Sequence, residues 1–286
     1  MLAIQNTNQR GKEMKKYLTG LTIGLLIFGT IGIACAATVD LKNWKAESYP
    51  AVAGFGAGSW AVSMDGSNVF QSVNGQPTFF YSDFNAFGTL AKGKINVSND
   101  SDDDYIGFAL GFQPNNTTTS AANYLLIDWK RGNQYFDFDA PSSTPGSEAK
   151  AGLAVSRVTG IPTADEFWGH TNFDSDSGGG LEEIARAKTL GSTGWAYDTG
   201  YKFAFDFGPA NLDVYVNDSL ELSIVGSFSN GRLGFYNFSQ SSVTYSAFTI
   251  ESGTHPDPDS VPEPATMLLL GLGLAGLEGV RRKFKA

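Results

Sequence analysis

The 286-residue chain has a single cysteine, Cys35, and only two histidines, His170 and His255. One cysteine excludes an internal disulfide framework, and with so few histidines the ordinary zinc ligand sets are excluded too. A Ser-His-Asp triad has little to draw on. Basic side chains are also scarce: 20 Lys and Arg stand against 29 Asp and Glu, a formal charge of −9. That balance argues against a nucleic-acid-binding face and against electrostatic docking on anionic lipid. Charged residues of both signs make up only 17% of the chain, while aromatic residues make up 13%. Such a composition excludes a disordered chain. The 34 glycines fall mostly singly between short alternating runs, the pattern of an all-β chain with many turns.

Both ends read as processing signals. Met14-Lys15-Lys16 precedes an apolar stretch from Leu18 to Ile33, and Ala34-Cys35-Ala36 follows. A basic start, an apolar middle and an A-x-A exit at Ala34 and Ala36 describe a Sec signal peptide for signal peptidase. A retained membrane anchor and a lipoprotein cysteine at Cys35 are the alternatives. Cleavage after Ala36 would leave no cysteine in the mature protein. At the other end, Pro262-Glu263-Pro264 precedes an apolar run from Met267 to Leu277 and the basic cluster Arg281-Arg282-Lys283. These three parts in this order resemble the PEP-CTERM sorting signal of Gram-negative bacteria. The resemblance implies cleavage near Pro262, Glu263 and Pro264 by an exosortase, after transient membrane anchoring, often alongside exopolysaccharide. A plain C-terminal anchor is the alternative.

Between the ends the chain is more acidic than it is overall. Residues 37–263 hold 12 basic and 27 acidic side chains, a formal charge of −15, and such a surface attracts divalent cations. Strand patterns recur at about ten-residue spacing: Lys94–Val97, Tyr105–Phe112, Tyr124–Trp129, Gln134–Phe138, Gly152–Val158, Tyr201–Phe207, Arg232–Phe238 and Val243–Ile250. Tyr201, Phe203, Phe205 and Phe207 share one face by their period of two. Leu212–Val216 and Glu221–Val225 read as a hairpin around Asn217-Asp218. The pattern predicts an antiparallel sandwich or jelly roll. Leu181–Lys188, built of good helix formers, is the one internal stretch that reads helical.

Several ordered pieces resemble the thrombospondin C-terminal domain. They are Asp102-Asp103-Asp104-Tyr105-Ile106-Gly107-Phe108, Tyr124-Leu125-Leu126-Ile127-Asp128-Trp129-Lys130, Phe167-Trp168-Gly169-His170-Thr171, Gly194-Trp195, and Gly231-Arg232-Leu233-Gly234-Phe235-Tyr236. The resemblance covers residues 78–250 and implies a concanavalin-A-like, lectin-like jelly-roll β-sandwich with calcium binding and extracellular adhesion. Residues 37–77 match poorly, and the family's preceding Asp-rich repeats and cysteines are missing. The expected organisation is a signal segment (1–36) with an apolar helix, an all-β lectin-like sandwich (37–251), a linker (252–260) and a sorting segment (261–286) with its own helix.

Asp100-Ser101-Asp102-Asp103-Asp104 is the sharpest candidate site. Calcium takes six to eight oxygen ligands, and crowded carboxylates supply them. Asp102, Asp103 and Asp104 are therefore the candidate calcium ligands, with a solvated acidic turn as the alternative. No glycine stands at loop position six and no Glu at twelve, so this is not an EF-hand. Asp174 and Asp176, in a glycine-rich loop, are a second, weaker candidate pair. His170 reads as a structural residue, and the five tryptophans read as core. A retaining jelly-roll glycosidase carries an alternating Glu-x-Asp-x-x-Glu strand, which this chain lacks. The expected function is a non-enzymatic, calcium-binding adhesive or structural protein of the cell surface or matrix. A polysaccharide-processing enzyme and a ligand-free matrix protein are the alternatives.

Overall fold

The computed structural model describes residues 36–52, 54–99, 101–138, 140, 146–173 and 179–252. Two antiparallel sheets, with strands numbered in chain order, form a sandwich. The first runs β15 (Ser219–Val225), β14 (Asn211–Val216), β13 (Tyr201–Phe207), β6 (Thr89–Val97), β17 (Val243–Ser252), β4 (Asn68–Gln71), β3 (Trp60–Val62), and β1 (Ala37–Thr38) also pairs with β17. The second runs β12 (Gly180–Arg186), β11 (Gly152–Thr159), β8 (Asn123–Lys130), β7 (Tyr105–Phe112), β16 (Arg232–Phe238), β5 (Thr78–Asn85), β2 (Lys45–Ser48). The all-β sandwich expectation holds. The expected hairpin also forms: β14 and β15 are joined by Asn217 and Asp218, both at positive φ (49° and 67°), the geometry of a type I′ turn. The signal and sorting helices expected at the ends lie outside the described residues.

Alternation builds the inter-sheet core. Phe203, Phe205 and Phe207 of β13 face Ile106, Phe108 and Leu110 of β7 and Leu125, Ile127 and Trp129 of β8. Phe108 sits at the centre, 4.6 Å from Phe205 and 5.1 Å from Phe203 between ring centroids. Strands β7 and β8 are buried on both faces, which explains their near-continuous apolar sequence. Their outer side lies under a second core that includes Tyr105, Tyr124, Phe138, Phe167, Trp168 and Phe238. Gly107 is required where the strands meet, because a Cβ there would stand 2.1 Å from the Ile127 carbonyl oxygen.

The covering layer contains a short hairpin, β9 (Gln134–Phe136) with β10 (Ser147–Ala149), and a single described α-helix, α1 (Ala164–Gly169). Thr163 and Glu166 close a capping box at its start, and His170 ends it in the left-handed conformation (φ 49°). The reciprocal cap stabilises a helix too short to persist by propensity alone. The helix expected over Leu181–Lys188 is instead strand β12, paired with β11. Helix propensity is a weak prior, and an open edge beside β11 outweighs it.

Candidate functional site

The acidic loop joins β6 to β7, and ligand oxygens of Asp102, Asp103 and Asp104 lie within 4.8 Å of one another. Asp104 is buried, while Asp102 and Asp103 are half-buried. The loop is pinned from several sides. Asn74 Nδ2 donates to Asp102 Oδ2 (2.6 Å), and the Asp104 N–H donates to Gln240 Oε1 (2.9 Å). Trp195 Nε1 donates to the Asp104 carbonyl (2.9 Å), the Arg131 N–H to that of Asp103 (3.1 Å), and the Tyr197 hydroxyl to that of Asp102. The Arg131 guanidinium stacks 4.1 Å from the Tyr197 ring.

The organising group is Lys130, at the end of β8, whose side chain is 0% exposed. Its Nζ donates to Asp104 Oδ1 at 2.6 Å, to Asp103 Oδ1 and the Asp103 carbonyl at 3.0 Å each, and to Gln134 Oε1 at 3.2 Å. It also lies 4.8 Å from the Trp168 ring, a cation–π distance. A buried ammonium persists only when paired and hydrogen-bonded, and here both conditions are met. Burial pushes the Asp104 carboxyl above its usual range; Lys130 pulls it down, and Asp102 adds to the rise.

A second buried charge chain lies on the same face of β8, two residues back. Asp128 Oδ2 is 2.9 Å from His170 Nε2, and His170 Nδ1 is 3.3 Å from Glu183 Oε2. Arg186 closes the chain with two bonds of 2.9 Å to Glu183. Burial alone would lower the His170 pKa, but Asp128 and Glu183 outweigh it and hold it at about 9. Burial also works against Glu183, yet His170 and Arg186 bring it down to about 2. With carboxylates at both nitrogens, the imidazolium donates twice. It offers no lone pair to a metal or a substrate proton, in keeping with the structural role expected of it.

Asp102, Asp103 and Asp104 are thus brought together, Asp103 included, although alternation along an extended loop would turn it away from the other two. Asp100, Asp174, Asp176, Ala34, Pro262, Glu263 and Pro264 lie outside the described residues, and Ala36 is exposed at the start of the described chain. Trp44, Trp129, Trp168 and Trp195 are core and Trp60 is half-buried against it. Sequence reasoning missed Lys130. The signal was present: Tyr124, Leu126, Asp128 and Lys130 alternate on one face of a strand that is otherwise apolar. Charges at those positions require partners elsewhere in the fold.

Comparison with known proteins places this architecture. A family model for the thrombospondin C-terminal region matches residues 56–253, and one for the PEP-CTERM protein-sorting motif matches residues 260–283. Thrombospondin-2 of Mus musculus is 26% identical over 208 residues, covering 68% of this chain and 16% of its own. Thrombospondin-3b of Danio rerio is 28% identical over 202 residues, covering 66% of this chain and 20% of its own. The chain therefore spans only about a fifth or less of the length of these relatives. Among solved structures, the carbohydrate-binding module CBM66 from Bacillus subtilis superposes with a TM-score of 0.45 at 13% identity, over 68% of this chain and 92% of that one. The chain belongs to the thrombospondin C-terminal region family and carries a PEP-CTERM protein-sorting motif beyond that domain.

Proposed function

We propose that this chain is a non-enzymatic adhesion module of the cell surface or extracellular matrix, exported by the Sec route and processed by an exosortase. The observation that carries this reading is the order of the two matched segments, a thrombospondin C-terminal domain at 56–253 followed by the sorting motif at 260–283. The motif marks an exported protein of Gram-negative bacteria. Signal peptidase would cut after Ala36, and the exosortase would act near Pro262-Glu263-Pro264. The partner would be exopolysaccharide or another matrix component.

Calcium at Asp102, Asp103 and Asp104 is part of the proposal. Asp102 and Asp103 are open enough to admit an ion, and three carboxylates outnumber the single Lys130 ammonium. The lysine competes for the same oxygens, so the affinity falls in the range of extracellular modules, about 10⁻⁴–10⁻³ M. Asp174 and Asp176 are proposed as a weaker second pair.

Three measurements test the reading. In an exosortase-bearing host, alanines at Pro262, Glu263 and Pro264 leave an unprocessed precursor in the membrane fraction; normal processing of that variant refutes the sorting half. Calorimetry with calcium gives saturable heat that Asp102→Asn with Asp103→Asn abolishes. A flat titration refutes the calcium half, and turnover of matrix polysaccharide by the purified protein refutes the non-enzymatic assignment.

A further inference from the structure

The outer faces of the two sheets differ. That of the second sheet is sealed by α1 and its aromatic core, whereas that of the first carries a small buried cluster, Leu90, Ala204 and Tyr215, with Lys94, Lys202 and Ala247 exposed beside it. On this face Lys202 pairs directly opposite Lys94, and Ala204 pairs opposite Lys92. Like charges facing each other across two strands repel. The chain places them there despite its formal charge of −9. Lys92 is held by Glu251 at 3.1 Å. Lys202 meets Asp218 only at 3.7 Å, with both side chains largely exposed (60% and 82%). Lys94 enters no salt bridge among the described residues.

The backbone beside them is irregular. The β17–β6 register jumps from Ser246↔Lys94 to Thr249↔Lys92, so Ala247 and Phe248 stand opposite Gly93 alone. Ala247 adopts φ 56°, a conformation unfavourable for an alanine. The bulge drives Phe248 into the core against Gly93, where a Cβ would come within 2.3 Å of the ring. On the outer side it leaves a hollow of about 200 Å³ among Lys92, Lys94, Lys202, Tyr215 and Ala247, with the Asp218 carboxylate also in its lining beside Lys202. β-Bulges concentrate beside functional sites, where they re-aim side chains.

We infer that this hollow binds a single carboxylated sugar of an acidic polysaccharide, with Lys94 and Lys202 pairing to the carboxylate. The inference deepens the matrix reading above and rests on it. The hollow is smaller than the about 300–1,000 Å³ of sites for drug-sized ligands, which suits one ring rather than an extended segment. Three lysines on an acidic domain also select for spacing. A nucleic acid, with about one charge per 1.7 Å, or a run of acidic peptide side chains would press its other charges against the acidic surroundings. A polymer with one carboxylate per sugar sets them further apart.

The test uses the full chain in mild detergent, with oligogalacturonate as probe and its neutral methyl ester, dextran and polyglutamate beside it, in EDTA. Oligogalacturonate binds and weakens as salt rises from about 0.05 to about 0.5 M. Lys94→Gln with Lys202→Gln lowers the affinity about tenfold or more while the melting temperature stays unchanged. Equal binding of the methyl ester, unchanged affinity in the lysine variant, or equal binding of polyglutamate overturns the proposal. Because the measurement is made in EDTA, loss of calcium binding at Asp102–Asp104 would leave it standing. Failure of export would refute the matrix reading without altering the affinity.

Discussion

Replacing Lys130 with methionine removes the one ammonium inside the acidic loop while keeping most of the side-chain volume. In the native protein that ammonium is fully buried and faces four acceptors, the shortest contact being 2.6 Å to Asp104. Without it, Asp104 is left as a buried carboxylate lacking its cation. Breaking a buried pair by removing one partner costs about 3–5 kcal/mol. For a domain of this size that lowers the melting temperature by about 6–20 °C. The pH dependence separates charge from packing. Burial already raises Asp104 above its usual range, and loss of Lys130 raises it further. An acid whose folded pKa exceeds its unfolded value loses stability as pH rises from the unfolded value through the folded one. Both proteins lose that stability alike as pH rises toward about 7, so the deficit of Lys130→Met is flat below about pH 7 and grows above it, where the native Asp104 ionises and the variant's stays protonated. Adding Asp104→Asn removes the stranded charge and recovers most of the loss, as neutral replacements of buried pairs do. Melting curves across pH for the three proteins check this. A deficit constant with pH, or a double variant no better than the single one, would mean that Lys130 acts through packing alone.

Four further outcomes follow from the same structure. His170, held at about 9 against an ordinary 6.5, contributes stability that is complete below pH 6.5 and lost between about 6.5 and 9; denaturant melts of His170→Gln flatten in that window. Glu183, brought from 4.5 down to about 2, acts in the opposite direction; its contribution is present above pH 4.5 and lost as pH falls toward 2, so acid titration of Glu183→Gln loses that branch. Gly194→Ala places a Cβ 1.9 Å from the Arg131 carbonyl oxygen, and backbone must move; we expect about 1–3 kcal/mol of destabilisation, with the near-ultraviolet signal of Trp195 altered. Phe108→Ala empties the middle of the inter-sheet core, which costs about 3–5 kcal/mol in chemical denaturation.

The sandwich was legible because most of its strands bury one face, and alternation then prints the fold into the sequence. Tyr201–Phe207 and the Asn217-Asp218 turn could be assigned from local chemistry alone. Leu181–Lys188 could not. Its residues suit a helix, and only the presence of β11 across an open edge makes it a strand, a fact no local window contains. The opposite failure occurred at α1, where Thr163-Ala164-Asp165-Glu166 spells a capping box but the six-residue helix carries no periodic signal. At the acidic loop the carboxylates were visible as a run. Lys130, 26 residues from Asp104 in sequence, becomes their partner only when β7 and β8 pair.

The position of β17 determines how the molecule answers tension. It is the last described strand, yet it lies inside its sheet, bonded to β6 on one side and to β4 and β1 on the other. The chain enters at Ala37 directly beside Ile250. A pull on the chain beyond Ser252 transmits load straight into this strand. Drawn along its axis, β17 must slide against neighbours on both sides, so its hydrogen bonds resist together instead of parting in sequence. The end of the described chain thus continues from a strand held on both sides, and the short β1 is the piece that would peel first.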